Sequence, residues 1–117
     1  MEKEDPTNPE YNVPARLKEL YQNKDYGRYA HNTGEMRVAF VASNHTSGGN
    51  SGSPLIDANG NLIGLNFDRT WESTMSDIMF NPTICRNISV DIRYVLFIMD
   101  KYAGAKHLVD EMKLISQ

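Results

Sequence analysis

Pro54-Leu55-Ile56-Asp57-Ala58-Asn59-Gly60-Asn61-Leu62-Ile63-Gly64-Leu65-Asn66-Phe67 is the stretch on which the fold turns. Pro54 to Asp57 and Asn61 to Phe67 are short β-rich runs, and Asp57-Ala58-Asn59-Gly60 joins them. Asn-Gly supplies the positive φ that a tight hairpin needs, so the stretch is predicted to be two antiparallel strands.

Just before the hairpin stands Thr46-Ser47-Gly48-Gly49-Asn50-Ser51-Gly52-Ser53. A serine hydroxyl is a poor nucleophile unless a base takes its proton and donors stabilise the oxyanion formed on the attacked carbonyl. Small residues around Ser51 let the chain turn so that the backbone N–H groups of Gly49 and Ser51 point into one volume, as in an oxyanion hole of the chymotrypsin type. The rival serine-hydrolase signature, G-x-S-x-G on a strand-to-helix elbow, does not fit, because Ser53 occupies the last glycine position and Pro54 opens a strand. At this level a glycine-rich loop whose serine only caps a turn stays open as an alternative.

Outward from the hairpin, Met36 to Ser43 is apolar on both sides of its alternation and predicts a strand buried on both faces. Ala15 to Asn23 places Leu17, Leu20 and Tyr21 at helical spacing, and Pro14 suits a helix start. Residues 1–14, with Pro6, Pro9 and Pro14, read as an extended lead-in, and residues 15–117 as a single domain. Residues 68–88 show no period and read as a long loop, with Trp71 as its anchor in the core or a pocket wall. Asp91 to Tyr102 places Ile92, Val95, Leu96 and Met99 on one helical face, with Ser89 or Asp91 as cap and Gly104 as stop. A second helix is expected from Ala105 to about Ile115.

The bulk numbers narrow the class. At 117 residues there is room for one core. Charged residues at 23% and a net charge of −3 give no basic stripe, so nucleic acid is not an expected partner. No run of about 18 apolar residues exists to cross a bilayer, and Met1-Glu2-Lys3-Glu4-Asp5 is too charged for a secretory signal. The single cysteine, Cys85, cannot form an internal disulfide and reads as a buried thiol; no metal or cofactor is expected. His31, His45 and His107 read as surface residues. His45 stands only six residues before Ser51, in the same loop approach.

Gly48-Gly49-Asn50-Ser51-Gly52-Ser53-Pro54 followed by two strands resembles the nucleophile loop of chymotrypsin-fold peptidases. The runs Asn66 to Glu72, Ser76 to Met79, Ile84 to Ile88 and Val90 to Ile98 narrow the likeness. They are similar to the C-terminal portion of bacterial serine dipeptidyl peptidases, in the branch, dipeptidyl peptidase eleven, that releases dipeptides ending in aspartate or glutamate. That resemblance implies a mainly β segment with C-terminal helices, the C-terminal β-barrel part of a chymotrypsin-like double barrel. A helical insert would precede it, its histidine and aspartate would come from the first barrel, and Met1 would be a boundary within a longer chain. It implies further a periplasmic, homodimeric parent that acts on peptides with a free amino terminus.

Residue by residue, the resemblance makes Ser51 the nucleophile and Gly49 its partner oxyanion donor. Asn50 departs from the aspartate common at that place in trypsin-like enzymes, so a switch based on a buried amino-terminal ion pair is not expected. Leu65, Asn66 and Phe67 would be the edge on which substrate backbone pairs by strand addition. Arg69, 18 residues after Ser51, would read the acidic side chain before the scissile bond through two charge-assisted hydrogen bonds. A neutral substrate would leave the guanidinium unpaired, a discrimination of about a hundredfold. Asp68 would anchor the substrate's amino terminus or else orient Arg69. Two rivals are a glutamyl endopeptidase, whose pocket strand carries a histidine absent from Gly64 to Arg69, and a noncatalytic barrel that binds peptides by strand addition.

Overall fold

The structure, a computed structural model, describes residues 1–71 and 85–115. Among these residues four strands form one antiparallel sheet: β1 (Ala39–Ala42), β2 (Pro54–Ile56), β3 (Leu62–Arg69) and β4 (Asn87–Asp91), in the order β1-β4-β3-β2. Helix α1 (Ala15–Gln22) precedes the sheet; α2 (Ile92–Phe97) and α3 (Lys106–Asp110) follow it. The architecture is therefore a small antiparallel sheet with helices at both ends of the chain, not only at the C-terminal end.

The 54–67 hairpin forms as expected, with one change at its turn. Only Gly60 has positive φ (82°), and Asn59 does not. Instead Asp57 organises the turn: its Oδ1 accepts the N–H groups of Asn59 and Asn61, each at 2.9 Å, and its carbonyl accepts Gly60 N–H at 3.1 Å. An aspartate that bonds its own backbone two residues on does the work assigned to the Asn-Gly pair. The extra residue shifts the β2–β3 register between Leu55 and Ile56.

Gly64 fixes how closely β3 lies to its neighbours. A Cβ there would stand 2.7 Å from the Val90 carbonyl oxygen and 2.9 Å from the Phe40 ring, inside contact distance for both. Directly paired residues share a sheet face, so register sorts the side chains. Phe40, Leu55, Gly64, Asn66, Asn87 and Ser89 lie on one face; Val41, Leu65, Ile88 and Val90 lie on the other.

Several expectations require correction. The strand expected over Met36–Ser43 is only Ala39–Ala42 and is not buried on both faces: Val41 is 60% exposed, because β1 is an edge strand paired with β4 alone. The loop expected over 68–88 begins later and ends earlier, since β3 runs to Arg69 and β4 starts at Asn87; residues 72–84 lie outside the described residues. Trp71 is 84% exposed and is no core anchor. The lead-in is not extended but folded into turns, Asn8 N–H donating to Asp5 O, Tyr11 N–H to Asn8 O and Asp5 N–H to Tyr11 O. The last helix stops at Asp110 rather than about Ile115.

The helical expectations otherwise hold. Helix α1 starts after Pro14, and α2 is capped by Asp91, whose carboxylate accepts Arg93 N–H at 2.9 Å. A π-helical stretch, Ile98–Tyr102, continues α2, and Gly104 (φ 68°) ends it. Leu20, Tyr26, Tyr29, Leu96, Phe97 and Val109 form the hydrophobic core. Tyr26 meets Phe97 edge-on at 5.7 Å, and Tyr29 donates to Asp100 at 2.7 Å.

Candidate active site

The loop from β1 to β2 carries Ser51, and three structural devices shape it. Asn50 folds back on Ser47, its Oδ1 accepting Ser47 N–H at 2.7 Å while its own N–H donates to Ser47 O at 3.2 Å. Gly49 (φ 98°) and Gly52 (φ 83°) turn the chain through left-handed conformations that side chains disfavour. The loop is then tied to β3, with Gly52 N–H donating to Asn66 O at 2.7 Å and Asn66 N–H to Ser53 O at 2.9 Å.

These bonds divide the loop's amides into two sets. Asn50, Gly52 and Ser53 donate into the protein, the last to Asn50 O at 3.0 Å. Among the described residues, the N–H groups of Gly48, Gly49 and Ser51 make no hydrogen bond, and neither does the Ser51 hydroxyl. An N–H that is left unpaired in a turn built from paired neighbours is available to an incoming acceptor. Gly49 and Ser51, flanking one residue, are the spacing an oxyanion site needs.

Across from the loop, β3 runs past the end of β2. Pairing with β2 reaches Leu65, and the Ser53 and Gly52 bonds extend it only to Asn66. Asn66 is therefore not a free substrate edge: it is 7% exposed, with backbone N–H and C=O both engaged. The open edge begins at Phe67, which is 51% exposed.

At Phe67 the register with β4 slips by one: Asn66 pairs with Ser89 but Asp68 pairs with Ile88 and Arg69 with Asn87. A bulge of one residue exchanges the faces of everything beyond it. Arg69 thereby joins Asn66 and Asn87 on one face, while Asp68 turns to the other and is exposed. In an uninterrupted strand Asp68 would hold that place. The Asp68 carboxylate accepts the backbone N–H of Arg69 at 2.8 Å.

Together the loop and the end of β3 enclose a cleft of about 140 Å³, lined by Thr46, Ser47, Gly48 and Ser51 on one side and by Asn66 to Arg69 on the other. Complete ligand sites commonly reach roughly 300–1,000 Å³, so this cleft is smaller than a complete site. Of the site residues expected from the sequence, Ser51, Asn66, Phe67, Asp68 and Arg69 line it, while Gly49 does not and Leu65, expected as part of the substrate edge, is paired with Pro54 instead. None of His31, His45 and His107 lines it. Among the described residues no group of three His, Cys, Asp or Glu is arranged to hold a metal ion, and no helix is long and apolar enough to cross a membrane. Cys85 is buried away from the cleft.

Sequence reasoning missed Asn87 and Ser89. Both are fully buried beneath the site, Asn87 Nδ2 donating to Asn66 Oδ1 and to Ser89 Oγ, each at 3.1 Å. The alternation of Asn87-Ile88-Ser89-Val90-Asp91 was the available signal for their strand.

The model of the family described as Peptidase S46 matches residues 1–114. The chain is 64% identical over 115 residues to the Asp/Glu-specific dipeptidyl-peptidase of Flavobacterium psychrophilum, and 60% identical to dipeptidyl-peptidase 7 of Phocaeicola vulgatus. Each alignment covers 98% of this chain and 16% of the relative. The crystal structure of Porphyromonas endodontalis DPP11 in complex with the dipeptide Arg-Asp superposes with a TM-score of 0.92 at 57% identity, covering 97% of this chain and 16% of that one. The chain thus spans about a sixth of the length of these relatives.

Proposed function

The chain belongs to the peptidase S46 family, and from that premise we propose that it is the nucleophile-bearing segment of a serine-type dipeptidyl peptidase that releases dipeptides with aspartate or glutamate at the second position. One observation carries this reading: a single cleft joins Ser51, whose hydroxyl and amide are unpaired, to Arg69, and the unpaired amide of Gly49 stands two residues before Ser51 in the same loop. Relatives named for acidic specificity and relatives named dipeptidyl-peptidase 7 overlap in identity, at 56–64% and 46–60%. Overall likeness therefore does not choose the substrate. The guanidinium at position 69 favours the acidic choice.

In this mechanism Ser51 Oγ attacks the carbonyl carbon after the second substrate residue and yields its proton to a histidine from the remainder of the parent chain. The carbonyl oxygen becomes negative against the Gly49 and Ser51 N–H groups. The C–N bond breaks, the histidine returns the proton to the leaving amine, and water hydrolyses the acyl-serine. Substrate backbone pairs with the edge at Phe67 to Arg69, and Asp68 holds its charged amino terminus. The cleft is small for a complete ligand site, which suits a segment of the C-terminal barrel in a chymotrypsin-like double barrel whose other walls lie elsewhere in the parent. The same reading carries a periplasmic location and a homodimeric parent.

The exposed strand edge at Phe67 also supports a second reading for this chain alone: it binds peptides by strand addition without turning them over. Kinetics of the full-length enzyme test the main reading. Arg69→Gly is expected to lower acidic cleavage about a hundredfold relative to apolar cleavage. Equal losses remove Arg69 from specificity. Blocking the substrate's amino terminus is expected to stop cleavage; retained cleavage favours a glutamyl endopeptidase. Fluorophosphonate labelling of Ser51 in the full-length enzyme but not in this chain separates a complete site from an orphaned nucleophile.

A further inference from the structure

The buried polar side chains under β3 and β4 connect directly to the nucleophile loop. Asn87 and Ser89 are 0% exposed, and no buried side-chain polar atom among the described residues lacks a hydrogen-bond partner. Asn87 Nδ2 donates to Asn66 Oδ1 and to Ser89 Oγ, and its Oδ1 accepts Asn44 N–H at 3.3 Å. A carboxamide has one accepting and one donating end, so holding the oxygen of Asn66 aims its nitrogen. That nitrogen donates to Asn50 O at 3.2 Å, a second tether on a carbonyl that also accepts Ser53 N–H at 3.0 Å.

Asn50 O and Ser51 N–H belong to one planar peptide unit and point to opposite sides of it. Whatever fixes the carbonyl therefore aims the amide. We infer that Asn87 is a positioning residue of the oxyanion site, setting the Asn50–Ser51 peptide plane through Asn66 while anchoring the start of the loop at Asn44. It touches no substrate, and its effect on the reaction passes through the direction of the Ser51 N–H. This inference rests on Ser51 being the nucleophile.

The distinction from a merely structural role lies in hydrogen-bond polarity. Asn87→Asp keeps the shape and the acceptor for Asn44 but loses the donor to Asn66. A carboxyl buried at this depth titrates above its ordinary value, and its protonated form regains an O–H for Asn66 Oδ1. In the full-length enzyme, kcat of Asn87→Asp at about pH 8 is expected to fall roughly 10- to 100-fold, short of the loss of a whole oxyanion donor, with KM held within about twofold. Relative to the parent, kcat should recover as the pH falls towards about 5. Asn87→Ser, too short to reach Asn66, should lose kcat similarly without recovery.

Unchanged kcat in both variants overturns the inference, as does a rise in KM alone or an Asn87→Asp ratio constant with pH. Failure of both variants to fold at the acidic pH, judged by circular dichroism, overturns it too and assigns Asn87 to the fold. Ser51→Ala measured alongside separates the two levels. Residual turnover there sinks the nucleophile reading, whereas an inactive Ser51→Ala with fully active Asn87 variants sinks only the positioning role.

Discussion

The two halves of the molecule are built on opposite plans. Where the helices meet, the interior is hydrocarbon and aromatic: Leu20, Tyr26, Tyr29, Leu96, Phe97 and Val109. Beneath the sheet, beside the candidate site, the buried residues include Asn66, Asn87 and Ser89, while Val41, Ile56 and Phe67 are more than half exposed. Apolar packing is non-directional and tolerates repacking. A closed polar network holds only when every donor meets its acceptor, and so specifies one arrangement. The helical half supplies adhesion, and the sheet half supplies aim.

The largest expected effect tests the helical half. Phe97 is 2% exposed and touches Tyr26 and Tyr94. Phe97→Ala should cost about 3–5 kcal/mol in chemical denaturation. A loss under about 1 kcal/mol would mean that the adhesion lies elsewhere and would break the comparison.

Next in size is Gly64→Ala, which tests whether the sheet half is as intolerant as its geometry indicates. The new methyl meets the Val90 carbonyl and the Phe40 ring below 3 Å, and carbonyl oxygen cannot give way as a flexible side chain can. Overpacking of this kind costs about 1–3 kcal/mol. The loss should appear as a lower denaturation midpoint, and an unchanged midpoint would show that β3 and β4 move apart freely.

Ser89→Ala sharpens the contrast at smaller cost. It strips one acceptor from Asn87 Nδ2 and leaves a buried N–H without its partner. The expected loss is about 1–2 kcal/mol, far more than the removal of one exposed hydroxyl. A neutral outcome would show that the network under the site has slack.

This contrast also explains which parts of the molecule were legible in the sequence. Leu17, Leu20 and Tyr21 at helical spacing gave α1 almost to the residue, and Pro54 to Phe67 gave the hairpin, because both follow the apolar pattern. Strand β4 does not: its buried positions are Asn87 and Ser89, and its apolar residues Ile88 and Val90 face the more open side. A reader who expects apolar residues inside sees a capped helix start. Trp71 misled for the converse reason, being large, aromatic and exposed. At the site, the glycine-rich run marked Ser51 and Gly49, and the resemblance supplied Arg69. The bulge at Phe67 that brings Arg69 onto the face of Asn66 has no sequence signal of its own, since it arises from pairing with a strand 20 residues away.

The smallest effect concerns the turn that starts β3, where a charge does what packing does elsewhere. The carboxyl of Asp57 is held below its ordinary value chiefly because Asn61 N–H donates to it; partial desolvation opposes this and Asn59 N–H adds to it. A carboxyl whose pKa is lower folded than unfolded lends stability that is complete above the unfolded value, about 3.9, and lost as pH falls through the folded one. Acidification should therefore loosen the turn before it touches the helical core, which carries no such group among its buried residues. The amide proton shifts of Asn59 and Asn61 should titrate with a midpoint below 3.8, and those of Leu96 and Phe97 should stay flat. Asp57→Asn, which keeps a neutral acceptor, should abolish that titration while preserving the turn. Amides at the turn and in the core that moved together with pH would show that the two halves melt as one, and the division of labour drawn between them would fail.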